Sequence, residues 1–280
     1  MFNLTFYNER GTITFGGGSS NSNFKIIQTD GLSFCGKTYN SVSYYNCDGQ
    51  ETVSENMNPR VITLKGDFEL GQNYQTELSS ALAVLNKEGT VEVQTRYDSR
   101  RIKARCTDFV EGEKQGKFMP FTMQFICDDP YFESSSSYIV PLYRTVANIS
   151  SDFTFPAPFS FRTTRRNIFV SSNAETEPVF YIDVGASPGG DIEIKNHTSG
   201  ERLKLNYTPL ANDYITVDVK NRRIYNQSGE SIVHLLSDDS FFDGFHLYPG
   251  DNDVEVLIGS VNTTLDVTCR YNEKFLEAVF

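Results

Sequence analysis

A mainly β chain of two domains, with one short helix in the first, is what this sequence predicts. Three observations carry that expectation. Period-two alternation of apolar and polar residues recurs along most of the 280 residues. Only one segment keeps helical spacing. Gly, Asn, Ser, Thr, Tyr and Phe are plentiful, while the helix-favouring Ala and Leu are modest.

The first thirty residues read as short strand pieces, such as Thr12–Phe15, around a loop at Gly16–Asn23. The Gly run there lacks a following Gly-Lys-Ser/Thr and no helix pattern opens behind it, so a phosphate cradle is set aside. A polar Asp48-Gly49 loop precedes Pro59-Arg60. From Val61 the strand signal is clear: Ile62, Leu64 and Phe68 share one face, and Thr63, Lys65, Asp67 and Glu69 the other. The helix is expected over about Thr76–Asn86, with Leu78, Leu82, Leu85 and Ala81 on its inner face. Thr76 or Asn73 would cap its start, and Gly89 lies beyond its end. Val91–Tyr97 alternates again, and Tyr97–Arg100 is a hairpin turn. On the returning strand Ile102, Ala104 and Cys106 face inward, while Arg101, Lys103 and Arg105 face away. Phe121, Met123, Phe125 and Cys127 form another buried stripe.

The domain organisation follows from where the pattern breaks. Residues 1–133 form the first domain. Residues 134–158 read as a connector, because Ser134–Ser137, Pro141, Pro156 and Pro158 interrupt regular structure, although Tyr138-Ile139-Val140 could pair as a strand. Residues 159–280 hold short alternating strands separated by turns, the pattern of a β-sandwich.

Composition narrows the function classes. Acidic residues number 36 against 25 basic, for a formal charge of −11. Neither half is basic, so neither is expected to grip a nucleic-acid backbone over a broad surface. No stretch is apolar for long enough to cross a membrane as a helix, and no secretory signal is visible. The cysteines at 35, 47, 106, 127 and 269 are odd in number and form no Cys-x-x-Cys pair, which points to reduced thiols rather than a disulfide framework or a zinc site. Asn-x-Ser/Thr triplets at Asn148, Asn196 and Asn262 carry little weight without a signal.

Catalysis is not expected, and no catalytic, cofactor-binding or metal-binding residues are nominated. His197, His234 and His246 have no Ser, Cys or carboxylate at a telling sequence spacing and read as structural. Asp238-Asp239 and Asp251–Glu255 lack the glycine and distal glutamate of a calcium loop and read as polar turns. Carbohydrate binding is the rival reading, because β-sandwiches often host it. The chain has no Trp. Phe241, Phe242, Phe245 and Tyr248 are available, with core packing or an interface as their expected role.

The order of these parts resembles the distal tail proteins of siphovirus-type phages. The likeness runs through the Asp48-Gly49 loop, Pro59–Leu64, the Leu78/Leu82/Leu85 helix, Gly89-Thr90-Val91, Arg100–Lys103 and the exit Phe125–Phe132. The second half is similar to that family's galectin-like β-sandwich through Glu177–Phe180, Ile192–Asn196, Thr198–Glu201 and Tyr214–Asp218. The resemblance implies an N-terminal β-sandwich or split-barrel ring domain with one helix and a projecting C-terminal sandwich. It also implies a homo-hexameric ring at the virion tail tip, assembled in the host bacterial cytoplasm. Its partners would be the tail tube protein, a tail-tip hub or fibre protein and a receptor-binding protein. DNA would pass through the channel without sequence-specific contact, and the overall acidity suits such a conduit. The alternative is a carbohydrate-binding module for host-surface adhesion. Arg100, Arg101, Lys103 and Arg105 form the one basic stripe and are the candidate subunit-interface residues. The plainer role for them is a solvated strand face.

Overall fold

The computed structural model describes residues 3–16, 22–144, 165–185, 190–258 and 265–278. The chain divides into two compact units: residues 1–135 together with 275–280, and residues 136–274. The first unit is therefore discontinuous, and the second is spliced between two of its strands.

The first unit is built from β1 (Asn3–Asn8), β2 (Gly11–Gly16), β3 (Phe24–Asp30), β4 (Lys37–Val42), β5 (Glu51–Met57), β6 (Arg60–Glu69), α1 (Tyr74–Leu85), β7 (Gly89–Gln94), β8 (Ser99–Glu111), β9 (Phe118–Cys127) and β10 (Phe132–Ser134). Alternation sets the inner face of each long strand. In β6, Arg60, Ile62, Leu64, Gly66 and Phe68 all point inward, and Met119, Phe121, Met123, Phe125 and Cys127 do so in β9. Gly66 is required at its place: a Cβ there would lie 2.0 Å from the Lys25 carbonyl oxygen.

Closure depends on β8. Its Ser99–Ala104 half pairs with β7, and its Arg105–Glu111 half pairs with β9. The register shifts between Cys106 and Asp108, the irregularity that lets one strand serve both neighbours. Strands β8-β7-β1-β2-β3-β6-β9 thus close on themselves as a barrel. Phenylalanines fill it, with Phe24 and Phe68 ring centroids 4.7 Å apart and Phe6 and Phe125 5.1 Å apart.

The helix starts two residues earlier than expected, and its inner face differs. Ala81, Val84 and Leu85 are buried, with Tyr74 and Leu78 against the same core, whereas Leu82 is 38% exposed. Positions 74, 78, 81 and 85 make the continuous stripe, and position 82 lies a hundred degrees beyond 81. Asn73 precedes the helix but makes no side-chain cap bond; its carbonyl accepts from the Thr76 and Glu77 amides. Gly89 does not cap the helix. It opens β7, where a Cβ would sit 2.6 Å from the Tyr7 carbonyl oxygen and 2.7 Å from the Phe6 ring.

The second unit comprises β11 (Tyr138–Arg144), β12 (Arg165–Val170), β13 (Val179–Val184), β14 (Ile192–Asn196), β15 (Arg202–Leu205), β16 (Tyr214–Asp218), β17 (Arg223–Tyr225), β18 (Gly250–Ile258) and β19 (Leu265–Tyr271). A five-stranded sheet, β11-β19-β13-β16-β17, and a four-stranded sheet, β12-β18-β14-β15, are both antiparallel. Their inner faces share one core that includes Phe180, Ile182, Val217 and Val267 from one sheet and Ile168, Ile194, Val254 and Val256 from the other. This is a β-sandwich.

Two boundaries differ from expectation. Tyr138–Arg144, placed in the connector, is a sheet strand of the second unit, with an irregularity at Pro141/Tyr143 that accommodates the proline. Ser134, also placed in the connector, ends β10, and the connector's residues 145–158 lie outside the described residues. At the other end, β20 (Lys274–Phe275) joins β10 in the first unit's sheet, so the C-terminal segment does not belong wholly to the second domain.

Candidate assembly surface

Between β3 and β6 the chain makes a two-stranded ribbon, β4 with β5, that pairs with no other strand among those described. Nearly every residue of it is exposed. Its order comes from polar pairs across the two strands. Lys37 Nζ lies 2.7 Å from Glu55 Oε1, and Asn40 Nδ2 donates to Ser54 Oγ at 2.9 Å. Near the turn, Tyr44 donates its hydroxyl proton to Glu51 Oε2 at 2.9 Å. Glu55 raises the Lys37 pKa by accepting a hydrogen bond from the ammonium. The expected Asp48-Gly49 loop lies at the tip, where Asn46 (φ 64°) and Gly49 (φ 94°) turn the chain. Tyr39, Val42, Tyr44, Tyr45 and Val53 present large apolar groups to solvent, Tyr45 at 94% exposure. An isolated hairpin of this kind is marginal in water.

The ribbon is anchored at its base. The Asn58 amide donates to the Gly36 carbonyl at 3.0 Å, and the next residue but one is Arg60. Arg60 is only 1% exposed. Its Nε donates to the Pro130 carbonyl at 2.7 Å, Nη1 to Gly31 at 2.7 Å and also to Ser33, and Nη2 to Leu276 at 2.6 Å. The guanidinium also sits 4.8 Å from the Phe132 ring centroid. Desolvation lowers the Arg60 pKa, yet a guanidinium remains protonated. One buried cation thereby ties β6 to three other chain segments, through four carbonyl dipoles. The sequence marks Pro59-Arg60 as the opening of a strand but gives no sign of this role, since a charged residue is read as outward by default.

A second arginine completes the fastening. Arg100 lies on the inward side of β8, where its guanidinium is 3.6 Å from the Phe275 ring centroid. Its Nη1 donates to the Glu277 carbonyl at 2.8 Å and lies 3.2 Å from Glu277 Oε1. The Ala278 amide donates to the Leu32 carbonyl at 2.7 Å. Arg100 is thus separated from the rest of the basic stripe, which points the other way. Arg105 makes a forked contact to Asp128 at 2.8 and 2.9 Å. Arg101 stands beside Glu92 and Glu133 in register, and Lys103 beside Thr90; neither forms an ion pair among the described residues.

The remaining candidates occupy structural positions. His197 Nε2 lies 2.6 Å from Glu255 Oε2, His246 Nδ1 lies 3.9 Å from Glu175 Oε2, and His234 is in a short 3-10 turn. Asp239 pairs with Arg202, Asp253 with Arg165, and Asp251 accepts from Asn167 at 2.9 Å. Arg165 holds the Asp253 carboxyl below the usual carboxylate range. Phe245 is buried against Phe180, Phe242 packs on the core, Tyr248 is half-buried, and Phe241 is exposed.

Residues 171–275 match the family described as siphovirus-type tail component, C-terminal domain. Among solved structures, the Dit protein of phage SPP1 superposes with a TM-score of 0.73 at 15% identity, over 98% of this chain and 99% of that one. That structure is described as a paradigm of the hub adsorption apparatus in phages infecting Gram-positive hosts. A chain of the phage P2 baseplate, in its activated conformation with Ca, reaches a TM-score of 0.46 at 13% identity, covering 96% of this chain and 97% of that one. The sequence matches none of the curated proteins. The SPP1 likeness bears on the fold, which is mainly β.

Proposed function

We propose that this chain, whose residues 171–275 match the siphovirus-type tail component family, is a structural subunit that closes into a homo-hexameric ring at the phage tail tip. The ring joins the tail tube to the hub and to the fibre or receptor-binding proteins. It is assembled in the host cytoplasm, and DNA passes through its channel. The feature that carries this reading is the exposed ribbon. Among the described residues no strand pairs with it, it projects tyrosines, and its base is held by Arg60. Such an arm suits a heterologous contact, in which each subunit reaches onto the next and rotation closes the circle. Of the basic stripe, Arg101 and Lys103 are the cations available to meet acidic residues of a neighbour, with Glu51 and Asp48 on the ribbon as candidates.

The test is the mass and shape of the purified chain. Light scattering and negative-stain electron microscopy are expected to give six-fold rings at roughly six times the 31.6 kDa chain mass. Tyr39→Ser with Tyr45→Ser is expected to leave the melting temperature unchanged and yield monomers. Monomeric wild-type protein even with the tail tube protein added, or intact rings from the double variant, would overturn this use of the ribbon.

A further inference from the structure

Strand β2 is paired along one edge and largely open along the other. It meets β1 at five positions, but β3 at only two, Phe15 with Phe24 and Gly16 with Lys25. Beyond that short seam, from Gly11 to Thr14, the strand borders a groove of about 680 Å³ whose far wall is α1. Ile13, Phe68 and Val84 make its apolar floor, and exposed Ser80 stands on the helix rim. At one end the Asn23 amide donates to Glu77 Oε2 at 2.5 Å, tying β3 to the helix. At the other end Arg10 Nη1 donates to the Ala83 carbonyl at 3.3 Å.

Two observations mark this edge as a template. The first concerns the main chain. The Thr14 carbonyl accepts from the Ser22 hydroxyl, on the β3 side, so it points away from β1. Alternate residues of a strand direct their backbone groups the same way, so the Thr12 N–H and C=O and the Thr14 N–H face the groove. Among the described residues no strand lies opposite them. The second concerns protection. Edge strands of the second unit are guarded by Arg165 and Arg166 on β12, by Arg202 and Lys204 on β15, by Pro141 in β11, and by the three-residue length of β17. Gly11-Thr12-Ile13-Thr14 carries no charge and no proline, and its Thr and Ile favour a strand.

We infer that this groove takes an extended segment of a different polypeptide as an added β-strand. Main-chain hydrogen bonds to Thr12 and Thr14 hold such a segment, and the floor receives every second side chain, which calls for small or β-branched apolar residues there. The two ends of the groove are unlike. Arg10 uses one of its guanidinium donors on Ala83 and has no carboxylate partner among the described residues, whereas Glu77 stands at the opposite end. The segment therefore carries a carboxylate at the Arg10 end and none at the Glu77 end, which fixes its direction. The ribbon of a second copy fits this poorly. With Val53 of β5 on the floor, Glu51 and Glu55 fall two residues to either side, so one of them meets Glu77. Strand β4 has no carboxylate to offer Arg10.

Amide NMR of the full chain, titrated with capped hexapeptides of alternating Thr and Val, tests it. One probe has Asp at its first position, one has Asp at its last, and two controls have Lys in those places. One Asp peptide is expected to shift the Thr12, Thr14 and Ser80 amides, and its Lys counterpart to bind at least tenfold more weakly. Ser80→Arg, which fills the groove from an exposed helix position, and Thr12→Pro, which removes an edge N–H, are each expected to weaken binding at least tenfold. Arg10→Glu is expected to transfer the preference to the Lys peptide. Circular dichroism verifies that the variants fold, and Ser80→Arg carries the test should Thr12→Pro not fold. Absence of those shifts with both Asp peptides overturns the inference, as does equal binding by Asp and Lys peptides or binding that Ser80→Arg retains. Tighter binding of a peptide spanning Gln50–Met57 than of either Asp probe also overturns it, and gives the groove to the ribbon of a second copy. Peptides rather than assembly are the readout, so failure here leaves the ring reading standing.

Discussion

Replacing Phe275 with Ala removes the ring over which the Arg100 guanidinium lies at 3.6 Å, and empties a site that is 8% exposed in the first unit's core. A buried Phe→Ala change costs about 3–5 kcal/mol. The site lies on the strand at the edge of its sheet, where neighbours can relax, so the lower part of that range applies. The lost guanidinium–ring contact adds about 1 kcal/mol, for a total near 4 kcal/mol. Glu277→Ala removes only a partly exposed carboxylate from the same arginine and should cost about 0.5 kcal/mol. Packing therefore outweighs charge by several-fold in this clamp. In a unit of about 140 residues, 4 kcal/mol corresponds to a melting shift of roughly 12 °C. Urea unfolding followed by hydrogen exchange, read separately for strands of the two units, measures it. Protection should fall in β6, β8 and β10 and hold in β13 and β16. Phe275→Leu, expected to cost about 1.5 kcal/mol, covers the case in which the Ala variant does not fold. A Phe275→Ala cost below 1 kcal/mol, or a loss confined to the second unit, would refute the reasoning.

Other outcomes follow from the same geometry. Arg60→Lys should destabilise the first unit by about 3 kcal/mol or more, because an ammonium cannot reach carbonyls in four directions and leaves several buried acceptors unpaired; denaturant midpoints will show it. Gly66→Ala should disrupt the β3–β6 pairing, since its Cβ would lie 2.0 Å from the Lys25 carbonyl oxygen, and expression of soluble protein reports the effect. A thiol reagent at pH 8 should modify exposed Cys47 and then Cys35, while Cys127 and Cys269 react only on unfolding. Burial pushes the Cys127 thiol from 9.0 up to about 12, so its neutral form favours folding fully below pH 9 and that contribution disappears as pH rises from 9 to 12; an alkaline melting series will trace the loss.

What the sequence disclosed was whatever alternation can disclose. The inner faces of β6 from Ile62 onward and of β9 were legible, because each of those inward positions is apolar or is the one glycine the neighbouring strand demands, whereas inward Arg60 was not. The helix was legible as a helix but not in its exact face, since Leu82 and Val84 are equally apolar and only packing chooses between them. The ribbon was missed because neither of its faces is buried, so no apolar period exists to read. Its signal was weaker: β-prone Thr, Tyr and Val on either side of Asn46-Cys47-Asp48-Gly49. Pro141 made a sheet strand look like a linker. The basic stripe was one run in sequence, but strand geometry sends Arg100 to one side and Arg101, Lys103 and Arg105 to the other.

The splice of one unit into the other has a consequence in time. During synthesis, Phe275–Ala278 emerge only after the entire second unit has been translated. Until then the barrel strands can pair, but Arg60 lacks the Leu276 carbonyl and Arg100 lacks its ring. The ribbon's anchor is therefore finished last. A nascent or prematurely ended chain exposes an arm on an incomplete base, and only a chain read through to residue 278 presents that arm firmly. The fold thus ties the firmness of the ribbon's base to a segment translated after the whole second unit.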